Sequence, residues 1–278
     1  MNKIYELASS KPFLIMSHRG FWGGNIVENT RQSAQLAMLA GAEVIEIDVC
    51  RSKDGVYFVF HSTQEERLLG LKKHMHDITS EEFEEVYLIN SIGMESDYRV
   101  EKFDDYLSWF PETKIINIDR SWWYWDDPNF YNLLHKHQCM DRVFVKNSLI
   151  DDGKKYLEKL NHMRSNIPYL PIATCQDDYR FVESLDNINL IGIEMIILDE
   201  QTDLLDPIFL QELKEKKSII LMDGEKLGRT KPFFMGREDD YSLLVDPNKG
   251  WGQMYRYGAN IIETDWPNFL NDYRDTLL

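Results

Sequence analysis

Between Phe13 and His61 the chain gathers Ser17-His18-Arg19-Gly20, Glu28-Asn29-Thr30, Glu46-Ile47-Asp48 and His61 itself. Imidazole titrates near neutral pH, so His18 and His61 could act as a general acid and base, although each also suits a hydrogen-bonded structural role. Glu46 and Asp48 stand at i and i+2 in an apolar run and therefore share one face of a strand. Two buried negative charges that close repel each other unless a cation intervenes. A hard divalent ion such as Mg²⁺ or Ca²⁺ meets that need with oxygen ligands, and an ordinary Lys or Arg pairing meets it too. Asp119, closing a later apolar run, offers a third carboxylate. Arg19 reads as a bidentate phosphate clamp or as a surface cation. Together these residue types suit phosphoryl transfer, with metal and arginine on the oxyanion charge and two imidazoles on the attacking and leaving oxygens. His74, His76, His135, His137 and His162 fall in expected helices or loops without partners and read as solvent-facing.

Elements that could hold such a set follow from the hydrophobic pattern. Phe13–His18 is a short apolar run ending in polar residues, as expected of a buried parallel strand opening into a loop. Thr30 can cap the helix after it, and Gly41 can stop that helix. Setting aside Val56–Phe60, which follows the Ser52-Lys53-Asp54-Gly55 turn too closely for a crossover and reads as a hairpin arm, eight strand-like runs begin near residues 13, 44, 115, 142, 169, 193, 218 and 260. Eight strands alternating with helices predict an α/β fold, a (β/α)8 TIM barrel, with chemistry at the carboxyl ends of the strands. No Gly-rich phosphate loop follows the first strand, which argues against a doubly wound sheet. Residues 62–113 are too long for one crossover and read as a small helical insertion between the second and third barrel strands. Residues 1–278 then form a single domain. The stretch from Gly224 to Gly252 reads as a lid or as a structural arm.

Composition narrows the partners. With 31 Lys and Arg against 47 Asp and Glu, the formal charge is −16, a field that repels nucleic acid and anionic lipid surfaces. The polar start and the short Phe13–Met16 run give no sign of a signal peptide or integral membrane segment. Three scattered cysteines, Cys50, Cys139 and Cys175, read as free thiols of a reducing, cytoplasmic compartment. A small-molecule partner is expected, and nothing argues against a homo-oligomer.

His18-Arg19-Gly20, Glu28-Asn29-Thr30, Gly41-Ala42-Glu43 running into Glu46-x-Asp48-Val49, Lys53-Asp54-Gly55 and His61 resemble the signature of the glycerophosphodiester phosphodiesterase family. The likeness continues through Leu68-Leu69-Gly70 and Ile78-Thr79, and returns at Gly258-Ala259-Asn260 and Thr264-Asp265-Trp266-Pro267. It implies a metal-dependent phosphodiesterase on a (β/α)8 barrel, cleaving glycerophosphodiesters to glycerol 3-phosphate and an alcohol. His18 and His61 would be the acid–base pair. Glu46, Asp48 and Asp119 would hold one divalent cation, Mg or Ca, while Arg19, Glu28 and Asn29 would line the substrate site. Two other readings stay open: a sphingomyelinase D-like lyase releasing a cyclic phosphate, and a non-catalytic phosphodiester-binding barrel.

Departures from that pattern concern the substrate. The family usually has Asp where Ser62 follows the second histidine, and Glu-x-Lys where this chain has Asp119-Arg120-Ser121. Arg120 or Lys146 could replace the missing lysine. Strand alternation turns Arg120 outward if Asp119 points in, which favours Lys146 as the substrate-binding cation. The aromatic run Trp122-Trp123-Tyr124-Trp125 reads either as packing or as a stacking wall for the leaving group, with Trp122 and Trp123 as its contacts.

Overall fold

The computed structural model describes residues 3–226, 228 and 232–278. Eight parallel strands close into a barrel: β1 Leu14–Ser17, β2 Val44–Arg51, β3 Ile115–Asp119, β4 Val143–Ser148, β5 Pro168–Ala173, β6 Gly192–Met195, β7 Ile219–Asp223 and β8 Ile261–Thr264. Closure comes from β1, which pairs with β8 on one side and β2 on the other. The expected fold is the observed one, and each strand begins within a few residues of its predicted start.

The inward faces divide into two layers. Leu14, Val44, Ile115, Phe144, Leu221 and Ile261 pack into one apolar cluster at the amino end, plugged by Ile4 from the helix Lys3–Ala8. Burying a side chain of that size contributes about 1.5–3 kcal/mol. Two residues further along the same inward parity, the filling turns polar: Glu46, Asn117, Lys146, Asp223 and Glu263, all buried. Residues of the opposite, outward parity, such as Phe13, Ile15, Ile45 and Ile118, join the helices in the larger outer cluster. The helix Pro267–Asp275 is tied to the barrel by Arg274, whose Nη1 donates to Phe13 O at 2.9 Å and to Glu43 Oε2 at 2.8 Å.

Tyr57–Val59 pairs antiparallel with the end of β2, as a hairpin arm should, and Phe60 N donates to Asp48 O at 3.0 Å. That bond sets His61 beside the carboxyl end of β2. Within 62–113 lie the short helices Glu65–Leu69 and Ser80–Glu84, and also a two-stranded hairpin, Tyr87–Ile89 with Glu95–Arg99. The hairpin was not expected: its strands are too short and too polar to show a clear alternation. Leu68, Leu69, Met75, Phe83 and Val100 form their own cluster against Phe58 and Phe60, whereas Phe103, Tyr106 and Leu107 of the helix Phe103–Trp109 enter the main core. His137 is not solvent-facing as expected, because its side chain is 13% exposed and its Nε2 lies 2.6 Å from Asp104 Oδ1.

Candidate active site

Each strand end delivers a polar group to one mouth. Parallel register sets Glu46 opposite Asn117 and Asp48 opposite Asp119, so β2 and β3 bring three carboxylates together, with one oxygen of each within 4.8 Å of the others. Burial and the neighbouring Asp48 charge hold Glu46 well above the usual carboxylate range, and burial also raises Asp119. Asp48 moves the other way: Arg19 and His61 outweigh the cost of its burial. One oxygen of each acid is occupied. Arg19 N donates to Glu46 Oε2 at 2.7 Å, Asn29 Nδ2 to Asp48 Oδ2 at 2.9 Å, and Arg120 N to Asp119 Oδ1 at 2.8 Å. Among the described residues the second oxygen of each accepts no hydrogen bond. A trio of carboxylates, two buried and one half-buried, that converges within 4.8 Å with excess negative charge fits a hard divalent cation by donor type and number.

The loop after β1 is built to make these contacts. Arg19 (φ 55) and Gly20 (φ 76) take left-handed backbone, and a Cβ on Gly20 would meet Ser33 C at 2.6 Å, so only glycine lets the chain pass the helix start. Thr30 caps the helix Arg31–Leu39 in a reciprocal pair with Ser33, which fixes Asn29 over Asp48. Arg19 spends its fork internally, with Nη1 2.8 Å from Glu28 Oε1 and Nε 3.1 Å from Asp48 Oδ2. Glu28 is held on its other oxygen by Arg67 Nη2 at 2.7 Å.

The two imidazoles lie in opposite fields. His18 Nδ1 is 2.5 Å from Glu225 Oε2 and 3.0 Å from Asp265 Oδ1. Burial alone would lower its pKa, but the Glu225 charge and the Asp265 bond prevail and raise it well above the ordinary value. For His61, burial pushes the pKa down and Arg19 and Arg120 add to that, against the pull of Asp48. His61 Nε2 lies 3.4 Å from Arg120 Nη1, and its Nδ1 is buried without a hydrogen-bond partner.

The expected set thus comes together, apart from two cations. Lys146 does reach the barrel interior, but its Nζ is bound between Glu263 at 2.7 Å and Glu194 at 3.0 Å. Arg120 was expected to face outward, and instead enters the mouth: a φ of 52 breaks the strand alternation directly after Asp119. The aromatic run divides. Trp125 is fully buried and donates to Ser121 Oγ at 3.1 Å, and Tyr124 accepts from Arg51 N at 3.0 Å, so both are structural. Trp122 and Trp123 stay half-buried with Arg120 over their rings, at 5.6 and 4.9 Å from the centroids.

Residue-type reasoning missed Glu225, Asp265 and the inner trio Glu194, Asp223 and Glu263, which surround the Lys146 ammonium. Burial holds Glu263 up at about 7 even so. The signal was there, since each of the three inner acids sits at or near the end of its strand, as Asp119 does. Part of the stretch expected as a lid or arm is anchored: Asp239 accepts from Thr264 Oγ1 at 2.8 Å, Asp265 N at 2.9 Å and Trp251 Nε1 at 2.7 Å. Residues 227 and 229–231 of that stretch lie outside the described residues.

Comparison with known proteins gives a consistent picture. The model of the glycerophosphoryl diester phosphodiesterase family matches residues 18–163. A mouse protein named lysophospholipase D GDPD3 is 25% identical over 169 residues, covering 58% of this chain and 49% of its own length. The chain spans about half or less of the length of the curated relatives it matches. A glycerophosphoryl diester phosphodiesterase from Parabacteroides distasonis shares the fold with a TM-score of 0.73 at 19% identity, over 99% of this chain and 92% of that one. An Oleispira antarctica phosphodiesterase in complex with the product sn-glycerol-3-phosphate shares it at 0.66 and 15%, over 96% and 99%. Among the described residues no helix is long and apolar enough to cross a membrane.

Proposed function

This chain belongs to the glycerophosphoryl diester phosphodiesterase family, and from that premise we propose that its barrel mouth hydrolyses small glycerophosphodiesters to glycerol 3-phosphate and an alcohol. One observation carries the reading: two histidines with opposed protonation preferences stand at the same mouth as three convergent carboxylates. Environments that push two titratable groups apart assign acid and base. His61, kept neutral, accepts a proton from water as the water oxygen attacks phosphorus. His18, kept protonated by Glu225 and Asp265, gives its proton to the departing alkoxide. Water is consumed, and a phosphate monoester and an alcohol leave.

Glu46, Asp48 and Asp119 would hold the divalent cation, Mg or Ca, which supplies positive charge to the phosphoryl oxygens when bound. Asn29 and Arg19 keep those carboxylates aligned, and Glu28 holds Arg19 in turn. The product complex of the Oleispira protein supports glycerol 3-phosphate as the retained half. Phosphorus NMR of a glycerophosphodiester incubated with protein and cation tests this directly. A single new monoester resonance is expected, and a cyclic ester that persists would replace hydrolysis by the lyase reading.

The acid–base assignment carries a sign. A raised His18 pKa means that the His18–Glu225 pair stabilises the fold fully below about pH 6.5 and fades as pH climbs through the raised value. In the pH profile of kcat/KM the alkaline limb therefore belongs to His18 and the acid limb, below about 6.5, to His61. Glu225→Gln should move the alkaline limb to lower pH and leave the acid limb in place. An unmoved alkaline limb would remove Glu225 from the scheme.

A further inference from the structure

We propose that Arg120, set against Trp122 and Trp123, forms the anion-binding arm of this mouth and donates to the non-bridging oxygens of a phosphate group beside His61. The inference deepens the hydrolase reading by naming the group that grips the phosphate, and it rests on that reading only for what happens after binding.

Among the described residues, Arg19, Lys146 and Arg120 reach the barrel interior or mouth, and the first two are spent. Arg19 is paired with Glu28 and Asp48, and Lys146 with Glu194 and Glu263. Arg120 differs. Among the described residues no carboxylate pairs with its guanidinium, and its one side-chain polar contact is the 3.4 Å approach of Nη1 to His61 Nε2; its Nε, like that of Arg19, is buried without a hydrogen-bond partner. In a chain of net charge −16, with three acids converging nearby, a guanidinium that forms an ion pair with none of the described carboxylates needs a physical reason.

The backbone provides it. The left-handed residue after β3 reverses the side chain into the mouth, while Arg120 N is fixed on Asp119 Oδ1 at 2.8 Å. Left-handed backbone is costly for a residue with a Cβ and persists where the surroundings impose it. The two indoles then hold the guanidinium by cation–π contact, and among the described residues none of its N–H groups is paired with a carboxylate. A planar fork with free donors is the geometry that takes phosphate oxygens in pairs. Contact with His61 is a placeholder in this arrangement. For Nη1 to donate there, Nε2 must be unprotonated, which leaves the proton on the partnerless Nδ1. An anion accepting from Nη1 would release Nε2 for proton transfer. On this account at least one face of Trp122 and of Trp123 serves the arginine, so the aromatic pair acts first as a holder of the cation.

Calorimetric titration of inorganic phosphate, and separately of sn-glycerol 3-phosphate, into the wild-type chain and into Arg120→Gln and Arg120→Lys tests the proposal without turnover. Loss of charge-assisted hydrogen bonds should weaken both ligands about 10- to 100-fold in Arg120→Gln. Arg120→Lys, which keeps the charge and loses the fork, should fall between. Circular dichroism and the thermal midpoint establish that each variant is folded. Unchanged phosphate affinity in a folded Arg120→Gln overturns the proposal, whatever the enzyme's activity. Tight binding that depends on Arg120 upholds it, even if no phosphodiester is turned over and the hydrolase reading fails.

Discussion

Alanine at His18 or at His61 is expected to reduce glycerophosphodiester hydrolysis by about 10²- to 10⁴-fold, the range for removing a positioned acid or base. The double variant should lose little more than the worse single one, because both protons move in one reaction and groups that act as a unit are not additive. Both side chains are partly exposed, His18 at 12%, and neither belongs to the apolar clusters, so the fold should survive. Steady-state rates with circular dichroism as the folding control decide the matter. Activity near wild type in either single variant would remove that histidine from the chemistry. A difference in pH behaviour should accompany the loss. His18→Ala removes the alkaline limb and His61→Ala the acid one, because His18 is raised by Glu225 and His61 is lowered by burial and its two arginines.

Chelation is expected to have an effect of similar size. Burial and neighbouring carboxylates hold Glu46 and Asp119 above their ordinary range, so the folded chain carries repulsion that a cation would relieve. Treatment with a chelator should bring turnover to background, and Mg²⁺ or Ca²⁺ should restore it. Linkage requires stabilisation as well: at a hundred times Kd, the ion should add about 2.7 kcal/mol to the unfolding free energy. Asp119→Asn should lose most of that response in thermal unfolding. A wild-type chain whose melting and turnover ignore both chelator and ion would contradict the cation site. The inner trio offers a built-in control: Lys146 already neutralises part of its charge, so Glu194→Gln should leave the ion response in place.

The barrel was legible because each strand writes two messages at period two. Val44, Glu46 and Asp48 face inward while Ile45, Ile47 and Val49 face the helices, and the same parity runs through Ile115, Asn117 and Asp119. Register then did what spacing predicts, setting Asp48 against Asp119. His61 was legible through the turn at Ser52–Gly55, which forces the chain back along β2. What escaped the sequence came from places where alternation ends. Arg120 turns inward on one left-handed residue, and no pattern of residue types marks that φ. Glu225 lies past the end of β7, where Gly224 N bonds to Glu263 O at 2.8 Å and bends the chain toward His18. Asp265 is set by Asp239, a buried carboxylate far upstream in sequence. The aromatic run could not be divided without packing. Trp125 and Tyr124 serve the core and the Arg51–Asp127 corner, and only Trp122 and Trp123 remain at the mouth.

Lys146 shows the limit in the other direction. Its strand and inward parity were readable, and a phosphate-binding role followed naturally from its position. Long-range partners decided otherwise, since Glu194 and Glu263 arrive from β6 and β8 and enclose the ammonium. Burial with two carboxylates keeps that lysine charged and inside the barrel, where it acts as a counter-ion for the inner acids.

The claim on which the rest depends is that Glu46, Asp48 and Asp119 form one cation site. A crystal of this chain soaked with Ca²⁺ and measured for anomalous scattering tests it most directly. The account predicts a single strong peak with an oxygen from each of the three carboxylates at about 2.3–2.6 Å. A peak bound only at Glu194, Asp223 and Glu263, or three carboxylates that ignore the ion, would contradict it.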